Sequence, residues 1–350
     1  MRLEREATLL GQRLRETPPV TAFCHENPDG DTIGAAVAMA RAAQQLGCRA
    51  EIVAIDGIPP AYAYLTGGLP VGPRPTLDPG LAIVCDAATL DRVGAIAADC
   101  GSWFAAATIV NMDHHVTNAA FGALHLVDLE AAASCQVVAW LLPHIGVTMD
   151  AEIASAVLAG IIRDSHGFST ASTTPSTLHA AAAAMEAGAP VESIYRTTLL
   201  ELPLVAIDLW GRLLSKVQRD AGDRIAWTLL TANMLADTAA EQHHADGVAE
   251  LLARAEDVEI SILFRELGDR TRVSIRTAPR VDAAAVAAVF GGGDHTRRAG
   301  CTVEMGADLA IPRVLVACRR QLGRRSTRFW HPRIPPEPSG SPTSSHSAGS

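Results

Sequence analysis

Short apolar runs alternate with helical patterns along the first half of the chain, and this alternation restricts the fold more than any other feature. The runs are Val20–Cys24, Ala50–Ile55, Leu81–Asp86 and Ala107–Asp113, and an alanine-rich helical pattern at Ile33–Gly47 follows the first of them. Continuous apolar runs of this length, separated by helices, are typical of parallel strands that are buried on both faces. We therefore predict an α/β fold with a parallel sheet in its N-terminal part.

The pattern changes twice along the chain, which predicts more than one domain. Residues 1–190 should form the parallel-sheet domain, and a helical pattern over 191–221 should act as a linker. From Arg224 short strand patterns return, with a hairpin across Gly268–Asp269, so we predict a smaller mixed α/β domain over 222–323. The remainder, 324–350, begins with a basic segment and continues as a tail rich in Pro, Ser and Gly, which predicts disorder.

Composition narrows the class of protein. The chain has 350 residues, of which 48% are hydrophobic, and a formal net charge of −9, so it should be globular and should not coat long nucleic acid by bulk charge. Its seven cysteines are scattered, without a CxxC pair, which favours a reducing cytoplasm over a disulfide framework. The N-terminus has no signal-peptide pattern and no apolar run is long enough for a membrane span, so we expect no membrane partner.

Carboxylate and imidazole side chains follow the predicted buried elements at four places. These residues are His25, Asp29 and Asp31; Asp86; Asp113, His114 and His115; and Asp164. Each place alone has an ordinary explanation, since "NPDGD" favours a turn and Asp86 or Asp164 could cap a helix or loop. The carboxyl ends of parallel strands meet at one sheet edge, however, and four such groups there would form a binuclear site of oxygen and nitrogen ligands. Without cysteine, the set favours Mn²⁺, with Mg²⁺, Fe²⁺ and Co²⁺ as alternatives.

The same stretches resemble a known family. In order, "HENPDGDTIG", "VCDAATLDRVG", "VNMDHH" and "GIIRDSHGF" are similar to the four motifs of the DHH phosphoesterases, and "GGGDHTRRAG" is similar to the glycine-rich motif of the DHH-associated C-terminal domain. The resemblance extends from about Thr17 to Leu322. The layout is similar to that of the bacterial nanoRNase and pAp-phosphatase group, which includes actinobacterial enzymes that hydrolyse cyclic di-AMP and pApA.

The resemblance implies a role for each N-terminal motif residue. One metal would be held by His25, Asp29 and Asp86, and the second by Asp31, Asp86, His114 and Asp164. Asp113 would orient a histidine, and His115 would lie near the scissile phosphate. Domain 1–190 would then be the catalytic metal-binding domain, with metal-activated water as the nucleophile.

The resemblance also implies that domain 222–323 binds substrate. The expected contacts are Arg276, Gly291, Gly292, Gly293, His295 and Arg298. Glycine amides can approach a phosphate closely and the basic side chains add charge, although the same loop could be a plain strand–turn–helix joint. The chain departs from the family pattern at Asp294, where a glycine is usual, and at Arg163, His166, Arg297 and Arg298, where small residues are usual. These departures leave substrate choice open.

We therefore expect a cytoplasmic, homodimeric phosphoesterase that hydrolyses short nucleotides to mononucleotides. Its substrates would be nanoRNA, pApA or cyclic di-AMP, and pAp, with no long duplex nucleic acid. The alternative is a catalytically weak or silent nucleotide-binding sensor of the same fold. A RecJ-type exonuclease is less favoured, because only the basic segment and the tail follow the second domain. A type II pyrophosphatase is less favoured, because the glycine loop and Arg276 fit a nucleotide-binding C-terminal domain better. The basic segment around Arg313–Arg333 could bind an oligonucleotide, or could be a helix end favoured by its own dipole.

Overall fold

The computed structural model describes residues 2–294 and 296–323, which form two compact units. The first unit is Met1–Glu201, and the second begins at Leu202. This boundary falls inside the predicted linker 191–221, and the separate roles given to the predicted domains stay a prediction. The segment 324–350, for which we predicted a basic stretch and a disordered tail, lies outside the described residues.

The first unit contains a parallel sheet and helices. Its strands are β1 (Val20–Phe23), β2 (Ala50–Val53), β3 (Val71–Gly72), β4 (Leu81–Cys85), β5 (Thr108–Asp113) and β6 (Leu124–Val127). Its α-helices are α1 (Arg2–Arg15), α2 (Gly30–Gln45), α3 (Ala63–Thr66), α4 (Ile96–Asp99), α5 (Gly101–Ala106), α6 (Ser134–Ile145), α7 (Ala151–Asp164), α8 (Pro175–Glu186) and α9 (Val191–Tyr195). Short 3₁₀ turns lie at Pro60–Tyr62 and Leu90–Val93, and a π-helical turn lies at Arg196–Leu200.

The strand order explains where the site forms. The described strands of this sheet run β3-β2-β1-β4-β5-β6, and all neighbouring pairs are parallel. Side chains of β1 alternate between two cores, with Ala22 in one and Phe23 in the other, which is why the strand is apolar throughout. The order reverses between β1 and β4. In such sheets a crevice opens at this point, outside the carboxyl ends of the strands.

Close helix packing holds the first unit together. The helix α2 is almost entirely buried and packs against α7, where a Cβ on Gly34 would lie only 2.4 Å from the carbonyl oxygen of Ala156. On α1, Leu10 and Leu14 are fully buried. Each leucine of this kind contributes about 1.5–3 kcal/mol by leaving water. The charged N-terminal segment is therefore an amphipathic helix with one face in the core.

The second unit contains a mixed sheet. Its strands are β7 (Gln218–Asp220), β8 (Ile225–Leu230), β9 (Ile260–Leu267), β10 (Arg270–Thr277), β11 (Gly293–Asp294) and β12 (Arg298–Val303). Its α-helices are α10 (Leu204–Ser215), α11 (Ala232–Thr238), α12 (Val248–Leu252), α13 (Ala283–Ala287) and α14 (Ala307–Gly323), with 3₁₀ turns at Gln242–Ala245 and Ala288–Phe290. The described strands run β11-β12-β10-β9-β8-β7, and within this sheet β8 and β9 are parallel while the other pairs are antiparallel. The predicted α/β class, with a parallel-sheet N-terminal part and a smaller mixed C-terminal part, is confirmed.

Two local predictions differ from the structure. We predicted a helical linker over 191–221, but helical structure stops after Leu200 and resumes at Leu204. Pro203 explains the break, because proline disfavours helical geometry in the residue before it and supplies no backbone N–H. The pattern also missed β6, whose side chains are only alternately buried. No helix in the described ranges is long and apolar enough to cross a membrane.

Candidate metal centre

Three of the four predicted segments meet at the carboxyl ends of neighbouring strands. His25 follows β1, Asp86 follows β4, and β5 ends at Asp113, directly before His114 and His115. The parallel register sets these strand ends side by side, since Phe23 lies opposite Val84 and Cys85 lies opposite Met112. The strand order therefore brings together residues that lie far apart in the sequence, at the crevice between β1 and β4.

Two helix N-termini hold the aspartates of the first motif. Asp29 caps α2, and its Oδ1 accepts hydrogen bonds from the backbone N–H of Asp31 (3.1 Å) and of Thr32 (3.5 Å). Asp31 is fully buried. Its two carboxylate oxygens accept from the backbone N–H of Ser134 (2.6 Å) and of Cys135 (2.9 Å), in the first turn of α6. Free N–H groups at a helix start stabilise a carboxylate in this way, and they fix the orientation of Asp31.

Asp86 lies at the middle of the cluster. Its backbone has φ +57°, the left-handed region that non-glycine residues seldom adopt, and such strain is concentrated at functional sites. One carboxylate oxygen lies 3.5 Å from His25 Nε2, and the other lies 3.4 Å from His114 Nε2. The Ser134 hydroxyl also donates to Asp86, at 3.0 Å. The two Asp86 oxygens therefore face different histidines.

Hydrogen bonds to Nδ1 set the orientation of all three histidines. His25 Nδ1 donates to the carbonyl oxygen of Glu26 (2.7 Å), and His114 Nδ1 donates to that of Ala131 (3.2 Å). Because a carbonyl oxygen can only accept, these bonds place the proton on Nδ1 and leave Nε2 as the ligand atom. His115 differs, because its Nδ1 contacts Asp113 Oδ1 at 2.6 Å. Asp113 therefore orients His115.

The charges in the cluster shift the pKa of several members. Burial lowers the pKa of His25, but the interaction with Asp86 and the charge of Asp29 outweigh it and raise the pKa to about 9. Burial and the charges of Asp86 and Asp164 raise the pKa of Asp31 well above its usual range. Burial also raises the pKa of Asp86, but His114 and His25 outweigh it and hold that pKa well below its usual range. The cluster thus retains protons that a bound cation would displace.

The donor set fits divalent cations. His114 Nε2 is buried without a hydrogen bond of acceptable geometry, although Asp164 Oδ2 is 3.1 Å away. Three groups of ligand atoms each lie within 4.8 Å of one another, and these are His25/Asp29/Asp86, Asp31/His114/Asp164 and Asp86/His114/His115. All of these atoms are carboxylate oxygens or imidazole nitrogens, which suit Mn²⁺ and similar ions. The described residues can therefore hold metal at this place.

The predicted substrate contacts lie in the second unit. Arg276 Nε and Nη2 donate to Glu250 Oε1, at 2.8 Å and 2.6 Å. Arg298 lies directly opposite Arg276 in the register of β12 and β10. Arg297, which departs from the family pattern, donates through Nε to the carbonyl oxygen of Thr277 at 2.6 Å. Substrate binding by Arg276 and Arg298 stays a prediction.

The glycine loop has local structural reasons for two of its glycines. Gly291 has φ +74°, and a Cβ on Gly292 would lie 2.2 Å from the carbonyl oxygen of Gly300. Gly293 is exposed in β11, and a Cβ there would meet nothing within 4 Å. His295 lies outside the described residues. A phosphate-binding role for Gly291, Gly292 and Gly293 therefore stays a prediction as well.

Sequence reasoning missed three residues that contact the centre. Ser134 and Cys135 act mainly through backbone N–H groups at the start of α6, and a neutral sequence such as "AAASC" carries no signal for this. Arg163 was noted only as a departure from the family, yet its Nε lies 3.8 Å from Asp29 Oδ2. An arginine in the last turn of a helix is common and gives no functional signal in the sequence. Only the fold shows that Arg163 lies beside the carboxylates of the metal centre.

Comparison with known proteins identifies the family. Residues 19–161 match the DHH family, N-terminal domain. A Thermus thermophilus relative named bifunctional oligoribonuclease and PAP phosphatase NrnA is 35% identical over 314 residues, which cover 87% of this chain and 91% of the relative. An exopolyphosphatase-related protein from Bacteroides fragilis has a TM-score of 0.82 at 18% identity, over 90% of this chain and 96% of that protein. RecJ from Thermus thermophilus, in complex with Mn²⁺, has a TM-score of 0.53 at 14% identity, over 91% of this chain and 55% of RecJ.

The two solved structures agree with this chain in fold. The family follows from the identity to NrnA over most of both chains, together with the DHH match across the segments that carry the cluster. The chain belongs to the DHH family of phosphoesterases.

Proposed function

We propose that the protein is a binuclear-metal phosphoesterase that hydrolyses short nucleotides to mononucleotides. The observation that carries this proposal is the position of Asp86, which belongs to two of the ligand groups and faces a different histidine with each oxygen. A carboxylate placed in this way can bridge two cations. The relationship to NrnA, named as an oligoribonuclease and PAP phosphatase, supports short oligoribonucleotides (nanoRNA) and pAp as substrate classes. We include pApA and cyclic di-AMP because the sequence motifs also resemble those of actinobacterial enzymes that hydrolyse them.

The cluster divides into two ligand sets. His25, Asp29 and Asp86 would hold one cation, while Asp31, His114 and Asp164 would hold the other together with Asp86. When bound, two divalent cations supply a water of lowered pKa and positive charge against the phosphate oxygens. Among the candidates, Mn²⁺ suits a mixed set of imidazole and carboxylate ligands and is our first choice over Mg²⁺, Co²⁺ and Fe²⁺.

The role proposed for His115 follows from its contacts. Asp113 is fully buried, and its Oδ2 accepts a hydrogen bond from Asn118 Nδ2 at 2.5 Å, while its Oδ1 holds His115 Nδ1. Burial lowers the pKa of His115, but Asp113 outweighs it and raises that pKa. Asp113 therefore fixes the orientation of the imidazole, and the raised pKa favours its charged form. A charged donor of this kind can bind a phosphate oxygen and stabilise charge during hydrolysis.

The proposal also covers substrate binding by the second unit, the oligomeric state and the cellular compartment. Arg276, Arg298 and the glycine loop are proposed to bind the substrate, as the family resemblance implies. That resemblance also supports a homodimer, which sedimentation would test. All seven cysteines are free thiols, which supports a reducing compartment such as the cytoplasm.

Hydrolysis assays test the proposal directly. With Mn²⁺, purified protein should release mononucleotides from pApA and from two- to five-nucleotide RNA, and should release phosphate from pAp. The reason is that the same ligand residues, once they hold the cations, would supply an activated water suited to the phosphorus of a phosphodiester or of a phosphomonoester. The same assays with cyclic di-AMP would complete the ranking of substrates. Binding of these nucleotides without turnover would contradict the proposal and favour a silent sensor of the same fold.

Metal removal should lower the stability of the first unit. A ligand that binds only the folded state at 100 times its Kd stabilises that state by about 2.7 kcal/mol. For a unit of this size we expect Tm to be roughly 5–10 °C higher in Mn²⁺ than in EDTA, as measured by thermal unfolding. His114→Ala removes a ligand from two of the groups and should reduce this difference. An identical Tm with and without metal, in both proteins, would count against a metal centre.

A further inference from the structure

Arg163 lies beside the metal centre without belonging to any ligand group. It occupies the last turn of α7, immediately before Asp164. Its Nε lies 3.8 Å from Asp29 Oδ2, which is an ion-pair distance, and its side chain is 33% exposed. The other oxygen of Asp29 accepts the capping hydrogen bonds of α2. Arg163 thus approaches the centre from the partly exposed side.

The turn after α7 fixes the position from which Arg163 extends. The carbonyl oxygen of Arg163 accepts from the backbone N–H of His166 at 3.3 Å, and the Ser165 hydroxyl accepts from the backbone N–H of Phe168 at 2.9 Å. His166 has φ +47°, a left-handed conformation that needs support from its surroundings. Two hydrogen bonds therefore hold the turn that follows Arg163 in one geometry. This order is what a side chain needs if it is to bind a ligand at a defined position.

The ring of Tyr62 lies near Arg163 and packs against the start of α2. A Cβ on Gly30 would lie 2.8 Å from the Tyr62 ring, so the ring covers the start of α2. Tyr62 lies close enough to Arg163, Asp29 and Asp164 to feel their charges, and burial raises its pKa to about 12. The hydroxyl therefore stays protonated. Arg163 thus has a neutral aromatic side chain in its neighbourhood as well as the carboxylate of Asp29.

The balance of charges at the metal centre indicates a role for Arg163. The four ligand carboxylates Asp29, Asp31, Asp86 and Asp164 would balance two divalent cations, and Asp113 is paired with His115. The loaded centre would then have no net positive charge, so the negative charge of a bound phosphate calls for another cation nearby. A guanidinium stays protonated at any physiological pH, and its planar fork matches two phosphate oxygens.

We infer that Arg163 binds a phosphate oxygen of the substrate next to the metal centre and favours substrates that present a phosphomonoester. This inference rests on the proposed function, since it assigns a further substrate contact at the same site. It follows from the distance to Asp29, the ordered turn and the charge balance. Arg163 would then select substrate as well as neutralise it, because a dianionic terminal phosphate offers more acceptor atoms than a diester does.

The test separates nucleotide binding from metal binding. AMP would be titrated calorimetrically into Mn²⁺-saturated wild-type protein, R163Q and R163K, and the Kd for Mn²⁺ would be measured for each. We expect R163Q to weaken AMP binding about ten- to a hundredfold, which corresponds to a lost charged hydrogen bond. The Mn²⁺ affinity should stay within about twofold. R163K keeps the charge without the fork and should be intermediate. The matched control is R74Q, which breaks the exposed Arg74–Asp99 pair and should behave as wild type.

Several results would overturn the inference. They are unchanged AMP affinity in R163Q, a loss of Mn²⁺ affinity as large as the loss of AMP affinity, or no binding of AMP or inorganic phosphate by wild-type protein. The second result would mean that Arg163 only positions Asp29. If R163Q fails to fold, R163K decides alone. Failure of the proposed function is distinguishable, because wild-type protein would then hydrolyse none of the nucleotides while the AMP comparison still decides the role of Arg163.

Discussion

Replacing Asp86 with asparagine is expected to lower hydrolysis of pApA by roughly a thousandfold or more, at saturating Mn²⁺. Asparagine has the same shape, but it carries no charge and offers one oxygen in place of two. It therefore cannot face His25 and His114 with equivalent oxygens, as Asp86 does. The bridging position is lost, and with it the charge that would hold both cations.

The measurement is kcat for pApA, together with the stoichiometry of Mn²⁺ binding by calorimetry. Wild-type protein should bind two ions and D86N fewer than two. The matched control is D91N, since Asp91 belongs to the same motif but is exposed in the 3₁₀ turn that follows. D91N should keep its activity and its metal content. More than a tenth of wild-type activity in D86N would exclude a bridging role for this carboxylate.

The position of the centre could be predicted because it depends on short-range patterns. An apolar run followed by a carboxylate marks the end of a buried strand, and parallel strands end at a common edge. This is why His25, Asp86 and Asp113 are found together in the structure. Asp31 and Asp164 follow from the same order of motifs, since Asp31 lies in the first turn of α2, Asp164 is the last residue of α7, and these two helices pack against each other.

What could not be predicted depends on contacts between distant segments. Asp31 is held by the backbone of Ser134 and Cys135, more than a hundred residues away, and no side-chain pattern encodes a backbone donor. The same is true of Arg276, which sequence suggests is available to substrate but which Glu250 binds in the structure. Such pairings follow from tertiary packing, which local propensity does not specify.

The second substitution with a large expected effect is at Gly160, which packs against Asp31. Three helices, α2, α6 and α7, meet at Gly160 on α7. A Cβ at this position would lie 2.2 Å from Cys135 Sγ and 2.6 Å from Asp31 Oδ1, so even alanine cannot be accommodated without movement. Both neighbours are buried, and Asp31 is held by two backbone hydrogen bonds. A side chain at position 160 would therefore displace Asp31, which is a proposed metal ligand.

Gly160→Ala should destabilise the first unit by about 1–3 kcal/mol, as overpacking of a filled core does, and should weaken Mn²⁺ binding because Asp31 is displaced. Urea unfolding and calorimetry measure the two effects. Gly101→Ala is the control, because a Cβ on Gly101, at the start of α5 in the same unit, meets nothing within 4 Å. It should change stability by no more than about 0.5 kcal/mol. Adding Cys135→Ala to Gly160→Ala removes the closest contact and should restore part of the stability. Equal urea midpoints for Gly160→Ala and wild type would show that α2, α6 and α7 can separate at this point without loss.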